Sequence, residues 1–459
     1  MQNGKRLKKM EKGLLIAFLA LAFVAIASPL AQMAFMPKYG RLVYTLDPVM
    51  AEFEGDYSSL GIHDRTKDMV SLLGREGASG LEVEIKSKLG YAFNGWDDGS
   101  LLRKRSDVFS KGTIKFHANC DYAVKEIPNI NFKGEYGQDL SNVNVDISTG
   151  DLSVHTTAKS VSFPLDFENY QGQSKKNFFL INEGDDFFDG KAYKAYSLFY
   201  DKACLRQLFS IALYNALFDG EVSFKTASIY FNDEYCGLYV FVDYSSWLEP
   251  EPNYVVSCSN AEDAQDLNYS RRNYKFVFGS SATDENKQNL LSILEEINAG
   301  SYSSFDKESF IRRAVLNNFM NNSAQVENDT LISFKDGVMA LSPVDSYSLS
   351  AGLFKYSNYH PDTELKYDSL TEKAIASMHW EDEIRERVKA GLEVFRDTAG
   401  EFRSWSSHLR NAISLNNEAY PVKPAFSMPA EIQSYNYGQH VSYFSNWLDA
   451  RYEWLKSTY

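Results

Sequence analysis

The chain has 459 residues, of which 44% are hydrophobic and 14% aromatic, and a formal charge of −14. The apolar content excludes a wholly disordered chain, and a single long apolar run excludes a polytopic membrane protein. The acidic balance argues against a nucleic-acid binder, which normally carries a basic field. Four cysteines, Cys120, Cys204, Cys236 and Cys258, are too few and too scattered for a disulfide scaffold or a C-x-x-C metal site. They read as buried free thiols or, in an oxidising compartment, as at most two bridges.

Residues 1–12 are basic, with Lys5, Arg6, Lys8, Lys9 and Lys12, and residues 13–27 carry no polar side chain. That order marks a secretory signal or an uncleaved anchor with its N-terminus in the cytoplasm. Ala25-Ile26-Ala27 offers the small residues of a cleavage site, which leaves a secreted product as the alternative. The apolar character resumes after Ser28-Pro29 and continues to Met36, so 13–36 is long enough to span a bilayer. The expectation is therefore one membrane helix with an extracytoplasmic body. Without residues 1–27 the chain has 42 basic and 60 acidic residues, and such a body should not adhere to anionic lipid.

Residues 37–109 mix short apolar segments with glycine-rich turns and read as a membrane-proximal region without an assignable role. From 110 onward, 113–117, 143–147 and 161–167 have strand character. Residues 201–218 place Leu205, Leu208, Ala212, Leu213 and Leu217 on one helical face, with Asp201 where an N-cap belongs. Strands at 227–231 and 235–243 flank Asn232-Asp233-Glu234, the pattern of a tight hairpin. Helices are expected at 285–299, closed by Gly300, at 306–320, opened by Asp306, and at 381–395 and 439–456. A β-rich first half followed by a helical second half predicts an α+β body of two lobes over 110–459.

Hydrolase signatures such as G-x-S-x-G, H-E-x-x-H and the P-loop are absent. The seven histidines never cluster at ligand spacing and read as surface or satisfied core residues. Two blocks carry more information. Tyr200-Asp201-Lys202-Ala203-Cys204-Leu205-Arg206 is followed by Ile229-Tyr230-Phe231-Asn232-Asp233-Glu234-Tyr235-Cys236-Gly237-Leu238-Tyr239. Together they resemble the spore coat protein CotH family of atypical protein kinases, with its D-K-x-x-L-R-N helix start and N-G-E-Y-x-G-x-Y hairpin. Here Gln207 replaces the Asn, and Asp233 replaces the hairpin Gly. Trp447-Leu448 with Arg451 in the last helix is similar to the family's closing segment.

The resemblance implies a kinase-like fold with ATP and Mg²⁺ or Mn²⁺ as cofactors, and it assigns site positions. Lys159 is the candidate phosphate-binding lysine, its bland reading being an exposed strand residue. Arg206 and Asp243 fall in cofactor-binding blocks, and Asn328 and Asp345 match the metal ligands. Ser323 stands where the catalytic Asp would be, and Tyr347 replaces a second metal-binding Asp. A hydroxyl does not replace a carboxylate as base or Mg²⁺ ligand near pH 7, so the resemblance implies a degenerate kinase. The expected role is scaffolding or regulation in the cell envelope with a protein partner. The alternatives are an active kinase acting on protein Ser/Thr, with Glu327 or Asp329 as substitute acids, and a structural or glycan-binding envelope protein stacking sugars on Tyr435 and Tyr437.

Overall fold

The computed structural model describes residues 38–55, 62–135, 140–150, 152–162, 177–182, 188–220, 222–259, 266–269, 272–322, 330–347, 350–353, 359–365, 369–421 and 428–459. The expected membrane segment 13–36 lies outside them. Among the described residues, no helix is long and apolar enough to cross a membrane. The chain divides into two compact units, one ending at Ala123 and one running from Val124 to Tyr459.

The first unit is built from eight strands: β1 (Tyr39–Leu46), β2 (Ala51–Glu54), β3 (Ile62–Arg65), β4 (Met69–Arg75), β5 (Val83–Ser87), β6 (Tyr91–Trp96), β7 (Lys104–Arg105) and β8 (Gly112–Tyr122). They form a five-stranded sheet in the order β3-β4-β1-β8-β6 and a three-stranded sheet β2-β5-β7. Leu42, Tyr44, Leu72, Trp96 and Phe116 fill its core. The expected strand at 113–117 is part of β8, and it pairs with β1 and β6 of this unit. The boundary therefore falls after residue 123 and not at 109/110.

The second unit opens with β9 (Asn129–Lys133), β10 (Leu140–Thr149), β11 (Leu152–Ser162), β12 (Phe178–Ile181) and β13 (Ala192–Ser197). Helix α1 (Arg206–Phe218) precedes β14 (Phe224–Phe231) and β15 (Glu234–Asp243). These seven strands close into a barrel in the order β10-β11-β12-β13-β15-β14-β9. Its interior holds Ile130, Val145, Phe178, Tyr239 and Phe241. The expected strand at 161–167 is seen to Ser162, and 163–167 lie outside the described residues. Asn232 and Asp233, both at positive φ, make the two-residue turn joining β14 to β15.

Strands β16 (Tyr254–Ser259), β17 (Leu267–Tyr269), β18 (Arg272–Phe276), β19 (Thr330–Lys335) and β20 (Val338–Leu341) form a second sheet in the order β17-β18-β16-β19-β20. Between them run α2 (Asp284–Asn298) and α3 (Lys307–Met320), capped by the side chains of Thr283 and Asp306. The chain ends in α4 (Ser369–Met378), α5 (Glu381–Ala390), α6 (Leu392–His408), α7 (Arg410–Ala419) and α8 (Tyr437–Thr458). Asn436 and Gln439 close a capping box at the start of α8. The α+β class is as expected, with strands continuing to Leu341, well into the half read as helical.

Two helix expectations need correction. The helix read from 201 begins at Arg206, because Cys204 takes a left-handed φ of 54° that no helix accommodates. The helix read over 381–395 is broken at Gly391. A Cβ there would sit 2.6 Å from the Leu217 side chain on α1 and 3.0 Å from the Phe319 ring on α3. Close packing dictates glycine, the weakest helix former after proline, and the helix divides there.

Candidate functional site

Asp201, Arg206 and Asp345, named from the sequence, meet in one buried network linked through Gln207. Asp201 lies at the end of the chain leading into α1, fully buried. Its carboxylate accepts N–H bonds from Ala203 at 3.1 Å and from Leu205 and Arg206 at 2.9 Å each. It therefore satisfies donors at the helix start from five residues upstream, where a cap within the helix register was expected. The Arg206 guanidinium, also fully buried, pairs with the same carboxylate at 2.5 Å. Its Nε donates to the Ser350 and Ala351 carbonyls, and the group lies 4.6 Å from the Phe444 ring centroid on α8. Arg206 thus ties α1 to residues 350–351 and to the last helix.

The next residue, Gln207, continues the network. Its Nε2 donates to the Asp345 carbonyl at 2.8 Å, and its Oε1 accepts from the Tyr347 N–H at 2.8 Å. Asp345 follows β20 and is buried. One oxygen of its carboxylate is held by the Arg313 guanidinium from α3. The other accepts from Ser342 Oγ at 2.8 Å and from the Leu331 N–H at 3.3 Å. Arg313 also donates to the Ser342 carbonyl. The Tyr347 hydroxyl donates to Asn317 Oδ1 on α3 at 2.6 Å, and burial pushes its phenol well above the ordinary tyrosine range.

This donor set does not fit a divalent cation. The single carboxylate in it is neutralised by a guanidinium and has hydrogen-bond donors on both oxygens, whereas Mg²⁺ requires open carboxylate or water positions. Among the described residues no group of three or more His, Cys, Asp or Glu side chains could hold a metal ion. Ser323 and Asn328, like Glu327 and Asp329, lie outside the described residues.

The remaining assigned residues stand on the barrel. Lys159 is exposed on β11, between Ala158 and Val161, which face the barrel core. Asp243 ends β15, and its Oδ1 accepts from the Ser245 N–H at 2.8 Å and the Ser245 hydroxyl at 2.6 Å. A Cβ at Gly190 would lie 2.2 Å from the Asp243 carboxylate, so the chain passes close by. Asp243 therefore organises the loops at its end of the barrel. Tyr435 packs against the buried cluster of Leu353, Met428 and Ile432, and the Tyr437 hydroxyl donates to the Ser406 carbonyl at 2.7 Å. Both residues are half-buried and not fully exposed as read from the sequence.

Sequence reasoning missed Arg313, Asn317 and Ser342. The available signal was Arg313 and Asn317 recurring at four-residue spacing within the apolar sequence of α3, a pattern of polar groups on a buried face. No protein-family model matches the chain, and no curated protein matches it.

Proposed function

We propose that the chain is a CotH-like, catalytically degenerate kinase-fold protein, anchored in the membrane by 13–36, with its body outside the cytoplasm and a scaffolding role toward an envelope protein. What supports the non-catalytic part is the state of Asp345. Its carboxylate is buried and committed to Arg313, Ser342 and the Leu331 N–H, so it acts as a structural anion joining α3 to β19 and to the segment after β20. Arg206, another charged position of the resemblance, is likewise committed to Asp201 and to backbone carbonyls.

The test couples chemistry to stability. Incubation with labelled ATP and Mg²⁺ or Mn²⁺ should give no phosphate transfer to the chain or to generic acceptors. Asp345→Asn should lower stability by about 3–5 kcal/mol, because it leaves the Arg313 cation buried without its partner. Replacing both, Arg313→Met with Asp345→Leu, should cost much less than either single change. Labelling by the wild type that vanishes in Asp345→Asn and in Lys159→Met, with melting unchanged, would instead establish the active kinase.

A further inference from the structure

The five-stranded sheet of the first unit has two unlike faces. Leu42 and Tyr44 of β1, Leu72 of β4 and Phe116 of β8 point into the core. Strand alternation therefore puts Tyr39 and Arg41, Leu73 and Arg75, and Lys115 on the opposite face. The registers Tyr39↔Arg75, Arg41↔Leu73 and Val43↔Lys115 make these residues neighbours on three adjacent strands. Arg75 and Lys115 are exposed and Arg41 half-buried, donating from Nε to Ser71 Oγ at 2.6 Å. None of the three cations is in an ion pair among the described residues. Tyr39 and Leu73 are 54% and 47% exposed beside them. The middle of that face, Val43 and Ser71, is buried; Asp64 of β3 pairs opposite Ser71, while Asp47, Asp68, Glu76 and Asp121 lie at or past the strand ends.

The charge is distributed unevenly between the units. Residues 38–123 hold 12 basic and 13 acidic side chains, whereas 124–459 hold 30 and 47. The acidic excess that should repel anionic lipid thus belongs to the second unit. The apolar run ends at Met36, three residues before β1 begins, and three residues reach at most about 11 Å. Tyr39, Arg41, Leu73 and Arg75 all cluster at that entry end of β1. Cations interleaved with an exposed aromatic and an exposed aliphatic side chain are the composition that settles at a headgroup boundary.

We propose that this sheet face docks on the anionic phospholipid surface of the membrane that holds residues 13–36. Arg41, Arg75 and Lys115 meet the phosphates, and Tyr39 and Leu73 enter the boundary. The proposal rests on the anchored reading above. The experiment uses the full chain in nanodiscs of phosphatidylcholine alone or with phosphatidylglycerol. A fluorophore on Thr113→Cys, in a Cys120→Ser background, reports acrylamide access to the face. A second on Leu152→Cys, at a residue 65% exposed on the barrel, is the control.

The expected result is protection of residue 113 in anionic discs only, reversed at about 1 M salt. Arg41→Glu and Lys115→Glu should each reduce the docked population at least about five-fold, the usual contribution of one cation near an anionic surface. Residue 152 should respond to neither lipid. Equal access in both lipids, with the protein incorporated and the variants melting as the wild type does, overturns the docking while leaving the anchor. Failure to incorporate into discs overturns the anchor, and the docking with it.

Discussion

His440 enters the core from the first turn of α8, fully buried, with neither ring nitrogen hydrogen-bonded. Burial holds its pKa down at about 4, aided by the Arg206 and Lys202 charges and opposed by Asp201. The ring is neutral in the folded chain, while in the unfolded chain it takes up a proton near its ordinary 6.5. Its contribution to stability is therefore complete above about pH 6.5 and is lost as the pH falls through 4. Urea midpoints measured from pH 7 to 4 should decline more steeply in the wild type than in His440→Phe, by on the order of 2 kcal/mol at the acid end. The variant should be no less stable at pH 7, since it removes two unsatisfied nitrogens. Parallel curves would show that the imidazole is solvated. His440 was read only as a surface or satisfied core residue, because nothing in the local sequence tells that it faces the Asp201–Arg206 pair. Its place beside that pair is set by the packing of α1 against α8, more than two hundred residues apart.

Element by element, local signals were legible where a side chain acts within its own turn. Asp306, read as a cap, accepts from a backbone N–H three residues downstream, as do Thr283 and Asn436, which were not named, and all three helices were placed to within two residues. Signals failed where tertiary contact decides, as at Gly391 between α5 and α6 and at the positive φ of Cys204. The β14–β15 hairpin is the clearest success, since Asn and Asp tolerate the left-handed conformation its turn demands. Asn232 does more than tolerate it: its Oδ1 accepts from the Gly134 N–H at 3.1 Å, and its Nδ2 donates to the Gly134 carbonyl at 2.8 Å. The side chain thereby extends the parallel pairing of β14 with β9 beyond Phe231. Asn232→Ala should cost about 1–2 kcal/mol, from strain at φ 47° plus the lost bonds, and Asn232→Gly less, since glycine keeps the angle without strain. Denaturant midpoints would measure both. An alanine variant within about 0.5 kcal/mol of wild type would mean that the turn is not held this way.

At the scale of the whole molecule, the two-unit division was legible only in outline. The glycine-rich turns of 37–109 marked a separate region, but β8 lies beyond it in sequence and belongs with it in space. Its pairing with β1 is parallel and spans some seventy residues, a separation that no local pattern encodes. The consequence is thermodynamic. The first unit's core draws on residues from Leu42 to Cys120, and the barrel and helical cores draw on residues from Val124 onward. Each unit thus carries its own hydrophobic driving force, and a chain of this kind need not unfold in one step. Calorimetry of the full chain should show two transitions. Leu42→Ala, at a fully buried position of the first unit, should move one of them. Leu208→Ala, buried on α1, should move the other. Each change should cost about 2–5 kcal/mol in its own unit, the usual effect of truncating a buried leucine. The larger enthalpy should accompany the Leu208-sensitive transition, because enthalpy scales with residues unfolded and the second unit is much the longer. A single transition displaced equally by both substitutions would show that the two cores melt as one cooperative body.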